Sequence, residues 1–187
     1  MGTATTASPP SLDQFPGEIV IGGTLDRLLI PEFLSIIHGA SVCLSFDDPL
    51  FTPQTETELL RALDPDHHLH FYNPFALEGE FLSLEDWLVD HQLAFRRTST
   101  GTAHYQAERL EFRKGLTAPQ RMAIDPAGHD LIMREDLRTV FRYLKEGRFD
   151  DATVLLEHVM GASLQPLPPF HVKETMLYER GTLAELQ

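Results

Sequence analysis

The segments LAFRRTS (93–99) and HYQAERLEFRK (104–114) both have the composition of β-strands, and only four residues, TGTA, separate them. A parallel crossover needs a dozen residues or more, so strands this close in sequence must pair antiparallel as a hairpin. The second arm changes phase: Tyr105 and Ala107 alternate, then Leu110 and Phe112. That predicts a bulge near Glu108 and Arg109. RMAID and DLIM, joined by PAGH, predict a second and tighter hairpin. Upstream, GEIVIGGTL alternates Ile19, Ile21 and Leu25. SVCLSF alternates Val42, Leu44 and Phe46, and HHLHFYN sets Leu69 and Phe71 on one side, before the Asn-Pro pair interrupts it.

Helical patterns lie between and after these strands. PEFLSIIHG opens with Pro31 and closes at Gly39. QTETELLRALD is short, with Leu59, Leu60 and Leu63 inward. In LSLEDWLVDHQ, Ser83 is the expected N-cap and Asp86 the capping-box residue, with Leu84, Trp87 and Leu88 inward. Two further helices repeat the i, i+3, i+4, i+7 template: Leu137, Val140, Phe141 and Leu144, then Ala152, Leu155, Leu156 and Val159. Gly147 and Gly161 are expected to end them. These elements predict a single α+β domain with a mixed or mostly antiparallel sheet, flanking helices and a C-terminal helical hairpin, not a doubly wound fold. The expected limits are a disordered lead-in over 1–15, the domain over 16–172 and a loose tail over 173–187, with PLPPFHV extended.

Charge is distributed unevenly. The net charge is −13. Residues 1–92 hold 15 acids against Arg27 and Arg61, whereas 93–187 hold 13 of each sign. A strongly acidic half argues against direct nucleic-acid binding, which needs positive surface. It favours a basic protein partner, and the profile is that of a noncatalytic interaction module of the immunity, antitoxin or inhibitor kind. Within 93–121 the balance reverses, and the arginines there are expected to lie beside the acidic half in the fold. No apolar run is long enough to span a membrane, and the N-terminus lacks a basic and apolar leader pattern. The single cysteine, Cys43, excludes an intrachain disulfide and fits a cytoplasmic protein. The sequence leaves the oligomeric state open.

The densest candidate chemistry is DPDHHLHFYNP (64–74). On a strand, His68, His70 and Tyr72 share one face. With Arg96 or Arg97 they form a candidate ligand-binding set. With His104 and Glu108 the two histidines form a candidate metal set, since two imidazoles at i and i+2 can converge on one ion. The spacing departs from that of cupin-like barrels, which place a glutamate four or five residues after the second histidine; here those positions are Pro74 and Phe75. No nucleotide-binding glycine loop, nucleophile elbow or zinc-protease helix motif occurs, so no catalytic residue and no cofactor is assigned.

Two resemblances bear on the chain. LKEGRFDDATVLLEHVM resembles part of a tetratricopeptide repeat, but it occurs once, and such repeats need about three copies to bury a core. EGEFLSLEDWLVDHQLAFRRTSTGTAHYQAERLEFRKG, with PLPPFHV, resembles a group of small bacterial proteins of unknown function. That resemblance implies a bacterial cytoplasmic protein and carries over no functional residue.

Overall fold

Strand β1 (Gln14–Asp26) is the spine of the sheet in the computed structural model, which describes residues 13–160 and 166–174. It pairs antiparallel with β2 (Leu69–Leu77) on one edge and with β3 (Ala94–Ser99) on the other. β4 (Glu108–Phe112) and β5 (Gln120–Ala123) extend the sheet, giving the order β2-β1-β3-β4-β5. β6 (Phe170–Lys173) runs parallel to the last residues of β1. The Phe170 amide donates to the His67 carbonyl, so β6 takes up the β1 edge where β2 leaves it.

The period-2 pattern of β1 buries Ile19, Ile21 and Leu25 on one face of the sheet. Leu69, Phe71, Phe95 and Phe112 join them from neighbouring strands. Helices α1 (Ile30–Gly39) and α3 (Leu82–Asp90) cover this face, and α2 (Glu56–Arg61) adds Leu59. Phe33 of α1 stacks on Trp87 of α3 at 5.0 Å and on Phe170 of β6 at 6.1 Å, which ties the last strand to the first helix. Each such fully buried side chain contributes about 1.5–3 kcal/mol relative to exposure. Two further helices, α4 (Arg134–Lys145) and α5 (Phe149–Met160), pack on each other as a hairpin that turns at Gly147, whose φ is +72°. The α+β class with a predominantly antiparallel sheet is therefore correct.

Several local expectations need correction. SVCLSF is not a strand. Cys43 alone bridges Tyr72 at the outer edge of β2, and Leu44 and Phe46 are exposed in an irregular loop. β2 does not stop at Asn73. It continues to Leu77 through a register shift opposite Phe15 and Gly17, an irregularity that accommodates Pro74. Helix α3 starts at Leu82 without a side-chain cap; Glu85, not Asp86, reaches back to accept from the Phe81 amide. No bulge interrupts β3 and β4, because β4 begins only at Glu108 and Tyr105 and Ala107 precede it. The arm after Gly128 forms one bridge, Ile124 to Asp130, in place of a strand. β1 starts inside the expected lead-in, with Phe15 buried, and β6 reaches Lys173. The expected stop at Gly161 lies outside the described residues, as do 1–12 of the lead-in and 175–187 of the tail.

Candidate functional site

The cross-strand register sorts the candidate residues onto two faces. Residues directly opposite in antiparallel strands share a face. His70 lies opposite Val20, Val20 opposite Arg96, Arg96 opposite Glu111 and Glu111 opposite Gln120. The next row is Tyr72, Glu18, Thr98, Arg109 and Met122. These rows form a polar face on the side of the sheet away from α1 and α3. The structure thus brings Arg96 to the face that His70 and Tyr72 share by alternation, a placement set by the register. Arg97 is on the other side, in the row Phe71, Ile19, Arg97, Leu110, Arg121.

The polar face is tightly bonded within itself. His70 Nε2 is 2.7 Å from Glu18 Oε1, and its Nδ1 is 3.5 Å from the Tyr72 hydroxyl. A neutral imidazole has one donor and one acceptor nitrogen, and here both are engaged. Burial, and then the charge of Glu18, push the Tyr72 phenol above its ordinary pKa, so it stays a donor at neutral pH. Phe46 covers the Tyr72 ring at 4.6 Å. Glu111, though on this face, is fully buried beneath Arg96 at 2.7 Å and Arg113 at 3.0 Å. Arg109 is turned away toward Asp130 and the Gly128 carbonyl.

The proposed metal set does not assemble. His68 precedes β2, and its Nε2 lies 3.1 Å from the Leu167 carbonyl while Nδ1 faces Asp64 at 3.7 Å. His104 is exposed in the loop between β3 and β4. Glu108 belongs to the opposite face, where it accepts from Arg97 at 2.7 Å. Among the described residues, no group of three or more His, Cys, Asp or Glu is placed to hold an ion. His68 and His70 act here as fasteners: the first holds the segment before β6, the second holds Glu18 of β1.

The arginine and glutamate residues missed as partners form a buried cluster on the core face. Arg97 is fully buried. Its Nη2 donates to Glu108, its Nε lies 3.0 Å from Glu85 and Glu80 is 3.6 Å away. Arg121 closes the cluster from the solvent side through Glu80 and Glu108. Glu80 and Glu85 come from the acidic half, so the expected neighbourhood of acidic and basic segments holds for Arg97 and Arg121. Burial raises the Glu85 carboxyl pKa, and the Arg97 guanidinium acts against that rise.

Comparison with protein-family models, curated proteins and solved structures gave no match. The site must therefore be judged on its own geometry.

An apolar groove lies beyond the outer edge of β2. The 44–53 loop and α2 enclose its volume of about 370 Å³. Leu44, Pro49, Leu50, Phe51 and Pro53 supply its apolar lining, and Asp48, Glu58 and Arg61 its charges. Leu50 is 60% exposed, and Phe46 nearby is 46% exposed. Alternation over 42–46 had assigned two of these side chains to a core. They are held outward because Cys43 and Phe51 anchor the loop at its ends, by the Cys43–Tyr72 backbone pair and by the Phe51 amide bond to Val42. No helix among the described residues is long and apolar enough to cross a membrane.

Proposed function

We propose that the chain is a noncatalytic interaction module, and that the groove between the 44–53 loop and α2 docks a basic amphipathic segment of a partner protein. The observation that carries this reading is the conjunction, at one groove, of exposed Leu44 and Leu50 with Asp48 and Glu58 against the single cation Arg61, beside exposed Phe46 and Asp47 of the same loop. An apolar floor favours an amphipathic ligand face, and an acidic rim favours cations around that face. Residues 1–92, which include the groove, hold 15 acids against two cations, a balance of the same sign. The committed nitrogens of His70 and the engaged ring of His68 argue against the alternative of a small ligand or metal held on the His68, His70, Tyr72 strand face. Residence in the cytoplasm belongs to the same proposal, consistent with a buried thiol at Cys43 whose pKa is raised chiefly by burial.

A fluorescein-labelled Leu/Lys amphipathic helix serves as the probe, read by anisotropy. It is expected to bind at micromolar Kd and to weaken steeply with salt. Phe46→Ser combined with Leu50→Ser should weaken it about tenfold or more, the loss of about 1.4 kcal/mol. Asp47→Asn with Asp48→Asn should act mainly on the salt dependence and association rate. A Leu/Glu peptide of equal length should not bind. Equal binding of the Leu/Lys probe to the Phe46→Ser/Leu50→Ser protein would remove the groove from the reading.

A further inference from the structure

The hairpin of α4 and α5 is poorly buried for two packed helices. Within it only Val140 and Ala152 are buried. Phe141 is 63% exposed, Phe149 64%, Leu144 41% and Leu137 39%. These side chains are not scattered. At about 100° per residue, Leu137, Phe141 and Leu144 fall to one side of Val140. In an antiparallel hairpin whose helices meet at Val140 and Ala152, Phe149 and Leu156 fall to that same side. The groove on the other side agrees with the partition, since Asp136, Thr139, Tyr143, Asp151 and His158 line it together with two apolar residues, Val154 and Leu155. One broad side is thus apolar, and the opposite side is mostly polar. A contiguous exposed apolar face of this kind marks an interaction surface.

Charge selects the occupant. α4 carries Arg134, Arg138, Arg142 and Lys145 against Glu135 and Asp136, a net of +2. α5 carries Asp150, Asp151 and Glu157 with no Lys or Arg, a net of −3. On the outer rims of the apolar side, the same helical arithmetic places Arg138 and Lys145 along α4 and Asp150 and Glu157 along α5. All four are exposed.

We propose that this apolar face pairs with the same face of a second copy of the chain, forming a four-helix bundle in which α4 of each copy lies against α5 of the other. A two-fold axis parallel to the helices produces this arrangement. It buries the phenylalanines and sets the basic rim of one copy against the acidic rim of the other. The other two-fold arrangement, α4 on α4, would set like rims together. The inference does not depend on the groove at the 44–53 loop, which lies on a different part of the molecule.

Sedimentation equilibrium of the full chain tests it. The expected mass for the natural sequence is twice the 21.1 kDa of one chain. Phe141→Ser with Phe149→Ser changes only exposed side chains, so it should give a folded monomer with an unchanged far-ultraviolet spectrum. Arg138→Glu with Lys145→Glu makes both helices acidic, and Asp150→Lys with Glu157→Lys makes both basic. Each charge variant alone should be monomeric, and an equimolar mixture should recover the dimer mass. A natural chain that stays monomeric at about 100 µM, far above the Kd of an ordinary micromolar dimer, overturns the proposal. So does a dimer that survives Phe141→Ser/Phe149→Ser. Charge variants that pair with themselves as well as with each other overturn the α4-on-α5 arrangement.

Discussion

Arg97→Ala is expected to destabilise the fold by about 3–5 kcal/mol, the cost of removing one partner from a buried ion pair. Arg97 has no exposed surface, and it stands among Glu80, Glu85 and Glu108, between Ile19 and Leu110 in its cross-strand row. Without it, the three carboxylates keep only Arg121, which is half exposed and reaches Glu80 and Glu108 but not Glu85. Against the desolvation of Glu85 there would then remain only the Phe81 amide and the more distant charge of Arg121. Arg97→Met combined with Glu85→Gln should recover much of the loss, because it removes both charges and keeps the volume. Urea unfolding at neutral pH measures each term. A cost below about 1 kcal/mol for Arg97→Ala would mean that water already enters the cluster. The cluster also has a pH signature. Glu85 has a raised pKa in the folded chain, so the folded state holds more protons than the unfolded state between that value and the unfolded value of about 4.3. Stability from Glu85 therefore rises as pH falls from neutrality through the raised pKa. It levels off below about 4.3, where both states are protonated. Set against Glu85→Gln, whose side chain does not titrate, the natural chain should gain stability on mild acidification. A difference that stays flat or shrinks would show that Arg97 outweighs burial.

How much of this was legible depends on the length scale of the signal. The hairpin at 93–112 was readable because a four-residue connection leaves only one pairing sense. The inward faces of β1, β2 and the helices were readable because burial follows period 2 or 3.6. Register was not readable, and register decides the site. Arg96 and Arg97 are adjacent in sequence, so they had to lie on opposite faces once β3 formed, but only the pairing with β1 and β4 shows that Arg96 joins His70 and Arg97 joins Glu108. His104 was assigned to a strand arm that begins four residues later, so its convergence with His70 could not occur. The loop at 42–51 misled for a different reason. Three alternating apolar residues suffice for a strand pattern, but the edge bridge of Cys43 to Tyr72 occupies one residue and leaves Leu44 and Phe46 outside. The groove therefore arose where local alternation and tertiary anchoring disagree, which is where functional surfaces are to be expected.

Gly22→Ala should cost nearly as much as losing the core side chain of β6. Gly22 is in the middle of β1, and its backbone conformation suits any residue. The constraint is space. A Cβ there would lie 1.9 Å from the Pro168 carbonyl oxygen and 3.3 Å from the His68 ring. The first contact is with backbone, so the 167–169 segment has to move as a whole. That movement strips the bond from the Gly23 amide to the Pro169 carbonyl and the contact of His68 with Leu167. It also pulls on Phe170, which is buried against Phe33. Phe170→Ala by itself should cost about 3–5 kcal/mol. For a chain of this size that lowers the midpoint of thermal unfolding by about 6–20 °C. If Gly22→Ala acts by unseating β6, the two substitutions cannot add. The double variant should melt close to the worse single variant, and the Gly22→Ala chain should become open to proteolysis within 166–174. Additive losses would mean that the alanine is accommodated by a shift in β1, and that β6 stays docked. Coupling would instead show that the Gly22–Gly23 pair is a seat for the last strand: one glycine leaves room for Pro168 to cross the sheet edge, and its neighbour Gly23, at φ +103°, turns β1 toward Phe170.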